Sequence, residues 1–179
     1  MRTSTWLVAA TIALAPLAGA YAGATPPTDP QIAAIVVAAN QVDIDAGKLA
    51  TGKAQSPDVK ALAERMVVDH SGVNEKAGAL VKKLNVTPQS NPTSESLLQG
   101  GKDNLAKLRG LQGVEFDKAY VAQEVTYHET VIDALDKTLI PNAKNKELHD
   151  LLVQVRPAFV SHLEHARHLQ SKLGGAASK

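Results

Sequence analysis

The chain contains no cysteine. That excludes disulfides, thiolate nucleophiles, thiolate metal sites and iron–sulfur clusters. It also excludes a lipid anchor of the bacterial lipoprotein kind, which needs a cysteine at its cleavage point. Aromatic residues make up only 3% of the 179 residues. Pleated sheets recruit aromatic and β-branched side chains, so this shortage argues for helices, as does the frequency of alanine, leucine, lysine and glutamine. No block of five or six like charges occurs, and the net charge is +1, so nothing points to nucleic acid as a partner. P-loop, Rossmann and G-x-S-x-G signatures are missing as well. Gly100-Gly101 and Gly110-x-x-Gly113 lack the strand context of a phosphate cradle and read as loop glycines.

What is present begins with a leader over residues 1–24. Arg2 supplies a positive start, Trp6 to Ala15 an apolar stretch, and Pro16 a break. Three overlapping small-residue sites follow, so the expected cut falls after Ala20, Ala22 or Ala24. An uncleaved anchor is the competing reading, but the strongly apolar part is shorter than the roughly 20 residues a span needs. No later segment could cross a bilayer. The expectation is an exported protein, periplasmic or secreted through a Sec-type signal.

Residues 25–29 form a short linker with Pro26 and Pro27, and Asp29-Pro30 starts a helix, with Asp as N-cap and Pro at the first position. The first helix, to about residue 53, repeats Ile32, Ile35, Ala39, Val42, Ala46 and Leu49 at steps of three and four. Ser56-Pro57 opens the second, whose seam runs Val59, Ala63, Met66, His70, Val73, Ala77, Leu80, Leu84. Leu97, Leu98, Leu105 and Leu108 suggest a short helix interrupted at Gly100-Gly101. The next long helix, about 114–139, carries Phe116, Tyr120, Glu124, Tyr127, His128, Val131 and Leu135 and ends at Pro141-Asn142. The last, about 145–173, carries Leu148, Leu152, Val155, Phe159, His162, Ala166, Leu169 and Leu173, with Pro157 expected to kink it or loosen one turn. Gly174-Gly175 should stop it, leaving 174–179 as a flexible tail. Four amphipathic helices with a central connection of roughly 28 residues predict an all-α four-helix bundle over residues 30–173, its long connection crossing over as in ferritin-like folds.

The polar anomaly lies on the seams. His70 and His162 stand where leucine is expected. His70, His128 and Asp43 each fall near the middle of their helices, and His162 about two residues past the middle of its own. Midpoints meet at one level whether neighbouring helices run parallel or antiparallel. Three imidazoles and one carboxylate could then converge in the interior, a ligand set for a divalent transition metal such as zinc, copper or iron. The competing reading is a hydrogen-bonded core network, with Tyr120, Tyr127, Glu124 or Asn74 as partners of the histidines. A second group, His162, His165 and His168, could chelate a surface ion only in pairs, because steps of three rotate by about 60°. Glu124/His128 is an i,i+4 pair of similarly low specificity. Di-iron chemistry is not expected, since no Glu-x-x-His occurs.

Several runs resemble an exported bacterial family, the domain of unknown function 4142 of the ferritin-like superfamily. They are Ala39-Asn40 through Leu49-Ala50, Met66-Val67-Val68-Asp69-His70-Ser71 with Asn74, Phe116-Asp117-x-x-Tyr120 with His128, and Pro157 with His162-Leu163. The resemblance covers about residues 31–172. It implies the bundle and export and brings no activity with it. The family usually has glutamate where this chain has Asp43, whose shorter side chain reaches less far. The resulting expectation is a non-catalytic periplasmic bundle holding a divalent metal through His70, His128, His162 and Asp43. The alternative is a structural or protein-interaction module, homo-oligomeric or not, whose core histidines only hydrogen-bond.

Overall fold

The computed structural model describes residues 25–175, and every regular element among them is helical. The leader read over residues 1–24 and the chain beyond Gly175 lie outside the described residues. Helix α1 spans Asp29–Lys53, α2 Pro57–Lys83, α3 Pro92–Arg109 and α4 Gly113–Ala134. A π-helical turn, Leu135–Leu139, leads from α4 into α5, Ile140–Asn142, and α6 spans Lys146–Gly175. No described helix is long and apolar enough to cross a membrane.

Local chemistry sets the boundaries. The N-cap of α1 is Thr28 rather than Asp29, with the Gln31 side chain accepting from the Thr28 N–H at 2.9 Å. Asp29 is thereby freed for a longer reach. Its carboxylate accepts from the backbone N–H groups of Lys144 and Asn145 at 2.8 and 2.9 Å, tying the start of α1 to the approach of α6. Asn145 in turn accepts from Glu147 and Leu148 N–H, satisfying the first free donors of α6. Buried Asp117 does the same for the α1–α2 corner, accepting from Gln55 and Ser56 N–H at 3.0 and 2.8 Å. Pro141 cannot donate a helical hydrogen bond, and the wide π turn ends two residues before it. Pro157 is accommodated inside α6, which stays helical on both sides of it. Val153, whose carbonyl loses its usual donor there, lies on an exposed face.

Helix α1 packs along α2 and α3, α4 along α6, and the contacts of α2 with α6 and of α1 with α4 close the interior. The buried apolar residues fall into two clusters. One holds Ala46, Ala50, Val59, Leu62, Met66, Phe116, Tyr120, Leu163 and Leu169 among others. The second holds Ile32, Ile35, Val73, Ala77, Leu135, Leu139, Leu152 and Phe159 among others. Read along the chain, α1 and α6 run from the second cluster to the first, and α2 and α4 run the opposite way. Parallel α2 and α4 therefore need a return path, and α3 supplies it, with Leu97 against the second cluster and Leu108 inside the first.

The glycine pair expected to interrupt this segment does not do so; α3 is continuous from Pro92 to Arg109. Gly101 is a contact glycine rather than a loop glycine. A Cβ there would stand 2.7 Å from Val42 Cγ2, so its absence lets α3 lie close on α1, while a Cβ on Gly100 would meet nothing within 4 Å. Gly113, the first residue of α4, takes φ 58, a left-handed conformation that glycine adopts without strain.

Candidate metal centre

Between the two apolar clusters lies a layer of buried polar side chains: Asn40 and Asp43 from α1, His70 from α2, Glu124 and His128 from α4, and His162 from α6. Helical spacing puts them there. His70 follows Met66 by four residues and precedes Val73 by three, and His162 follows Phe159 by three and precedes Ala166 by four, so neither can leave the packed seam. His128 sits one turn after Glu124 on the same face of α4. The three imidazole centroids are 5.3–5.6 Å apart, and the Phe159 ring stacks on His70 at 4.9 Å.

One nitrogen of each ring is held from behind. His70 Nδ1 lies 2.7 Å from Asn40 Oδ1, while the Asn40 amide donates to the Val36 carbonyl, so the ring is the donor in that pair. His128 Nδ1 donates to the Glu124 carbonyl at 2.9 Å. His162 Nε2 donates to Asp69 Oδ2 at 2.8 Å, and Asp69 also takes the Arg65 guanidinium at 3.3 Å. Such outer partners fix the tautomer and leave the opposite nitrogen with its lone pair facing inward. Those inward atoms, His70 Nε2, His128 Nε2 and His162 Nδ1, find no hydrogen-bond partner among the described residues, and neither do Asp43 Oδ2 and Glu124 Oε2. His70 Nε2 and Asp43 Oδ2 approach to 2.6 Å without hydrogen-bond alignment, and His128 Nε2 lies 3.7 Å from the same oxygen. Donors of one ion, each about 2.0–2.2 Å from it, stand roughly 3 Å apart, and these separations bracket that value.

Electrostatics agrees with such a role. Burial opposes ionisation of Asp43, but the His70 and His128 rings beside it hold its carboxyl well below the usual carboxylate range. Burial and the charge on Asp43 push Glu124 well above it. Burial lowers His128, and it lowers His162 to about 4 against the opposing pull of Asp69. These two rings are thus neutral at ordinary pH, the form that binds metal.

All four residues singled out in the sequence reach this layer. Ligand atoms of His70, His128 and His162 lie within 4.8 Å of one another, as do those of Asp43, Glu124 and His128. The expected hydrogen-bond partners are another matter. Tyr127 donates to the Ala39 carbonyl and Asn74 to that of Val37, while the Tyr120 hydroxyl finds no partner among the described residues. Of the four, Glu124 serves a histidine, and through its backbone. Asn40 and Asp69 were missed, although Asn40 stands one turn before Asp43 and Asp69 beside His70. Of the His162, His165 and His168 group, His162 alone enters the interior; His165 is half-buried and His168 exposed.

Among protein families, the one described as domain of unknown function (DUF4142) matches residues 14–169. The chain belongs to that family. No curated protein matches this DUF4142 chain. A solved structure titled "CopM in the Cu(II)-bound form" is similar in fold, with a TM-score of 0.65 and 15% identity, over 83% of this DUF4142 chain and 99% of the other.

Proposed function

We propose that this protein is an exported, ferritin-like four-helix bundle that holds one divalent transition-metal ion in its core without catalysing a reaction, through His70, His128, His162 and Asp43. The observation that carries this is the convergence of inward lone pairs without hydrogen-bond partners at the level of the polar layer. A buried polar group left unpaired costs about 1–3 kcal/mol. Several of them facing one another are expected where a cation belongs. Holding is favoured over catalysis because catalytic metal sites keep an open position, whereas these ligands are buried on all sides. Copper(II) is the first candidate: it binds nitrogen and oxygen donors most tightly in the divalent series, and the similar fold is titled as copper(II)-bound. Zinc and iron(II) suit the same donors.

The structural alternative has one observation in its favour, since each imidazole already has one satisfied nitrogen. Thermal melts separate the two, using a His165→Ala, His168→Ala background to remove surface chelation. Added copper(II) or zinc should raise the melting temperature, because a ligand that binds only the folded state stabilises it. The gain should vanish on acidification and in His70→Gln or His162→Gln. Melts unmoved by either ion, with both substitutions still destabilising, would leave the structural reading. Export is checked separately: the sole tryptophan, Trp6, lies in the leader, so the exported protein should lack indole emission.

A further inference from the structure

Resting on that metal reading, we infer that Glu124 is a further ligand, so that the ion takes five protein donors and the second carboxylate brings the buried centre to neutrality. Glu124 is buried, and its Oε2 has no hydrogen-bond partner among the described residues. It stands within the same 4.8 Å grouping as Asp43 and His128. That grouping and the three-histidine one share His128. With its Nδ1 donating to the Glu124 carbonyl, His128 has a single free nitrogen. One imidazole nitrogen serves one ion, so the two groupings describe one coordination sphere rather than two. Its inward donors are three nitrogens, from His70, His128 and His162, and two oxygens, from Asp43 and Glu124.

Charge points the same way. A divalent ion with three neutral imidazoles and one carboxylate leaves one positive charge in a layer whose five ligand side chains are at most 3% exposed. Moving an unbalanced charge out of water costs several kcal/mol. No lysine or arginine is among the buried residues described, and buried Asp117 is occupied by backbone N–H groups. No buried side chain would balance the two carboxylates once both are ionised, and a divalent ion matches them. Five nitrogen and oxygen donors with no sulfur select a divalent ion over copper(I), which favours soft ligands.

Cobalt(II) serves as the probe, because its visible absorption strengthens from six- to five- to four-coordination. The cobalt-loaded protein should show a five-coordinate spectrum, and Glu124→Gln should convert it to the stronger four-coordinate one. An unchanged spectrum in Glu124→Gln would overturn the role of Glu124 and leave the metal reading intact. A spectrum of aqueous cobalt in the unaltered protein would overturn the metal reading, and this inference with it. X-ray absorption at the cobalt edge of the unaltered protein needs no variant. It should show three imidazoles and two carboxylate oxygens, and one carboxylate oxygen alone would refute the inference.

Discussion

At one end of the interior, Leu62, Met66, Phe116 and Leu169 fill space with apolar surface, and at the other Ile32, Leu139, Leu152 and Phe159 do the same. Between them, six polar side chains occupy a layer of equal burial but opposite character. The ends are satisfied by contact alone, whereas the middle has outer hydrogen bonds that are complete and inner ones that are missing. A layer kept only for helix register would be satisfied on both sides. The contrast teaches that stability resides in the ends, while the middle is shaped for something other than stability.

The sharpest break of that contrast would come from putting a charge in an end. Met66→Asp or Leu152→Asp buries a carboxylate with nothing to pair with, and should cost several kcal/mol, a large part of a domain's margin. Melts followed by circular dichroism should show a collapse; a shift of a degree or two would mean the ends are not the source of stability. In the middle, His70→Gln in the metal-free protein should cost less, about 1–3 kcal/mol, by stranding buried Asn40, and His162→Gln less again, because Asp69 keeps solvent and Arg65. Losses equal to those at the ends would erase the distinction.

Acid acts more gradually. Because His162 is lowered from 6.5 to about 4, the unfolded chain takes up its proton at higher pH than the folded one. Stability of the metal-free protein should therefore fall as pH drops from 6.5 toward 4, and His162→Gln should flatten that slope. A rise in melting temperature over this window would contradict the neutral, buried state of the ring. The smallest effect is expected for Glu124→Gln without metal. Burial and Asp43 already hold this carboxyl protonated, so a neutral amide of nearly the same shape should change unfolding free energy by less than about 1 kcal/mol. Denaturant titration is sensitive enough to check it.

Much of this was legible along the chain. The seams of α2 and α6 follow their spacing from Val59 to Ala77 and from Leu148 to Leu169, since a long amphipathic helix has one way to face a core. Leu80, Leu84 and Leu173 at the far ends are only partly buried. The meeting of His70, His128, His162 and Asp43 was legible for the same reason, from their similar levels in four helices. What spacing cannot carry is the rotation of one helix about another. That rotation decides that Asn40 backs His70 and that Asp69 backs His162 across the α2–α6 contact. It also turns Gly101 toward Val42, so that an apparent interruption in α3 became a close approach. Glu124 read as an ordinary neighbour of His128, because an i,i+4 pair looks alike on a wet face and a dry one. The shift of the first N-cap to Thr28 depended on a distant demand, the free N–H groups before α6.

Asp69 is more than a third exposed, while the His162 ring it holds is fully buried. That hydrogen bond joins the interior layer to solvent, and it spans the contact between α2 and α6. An ion bound inside would therefore have its lifetime set by how often these two helices part, rather than by the strength of its ligands alone. Exchange would be slow and opening-limited, and loosening the Asp69 latch would speed departure and also weaken binding, since His162 would lose the partner that fixes its tautomer.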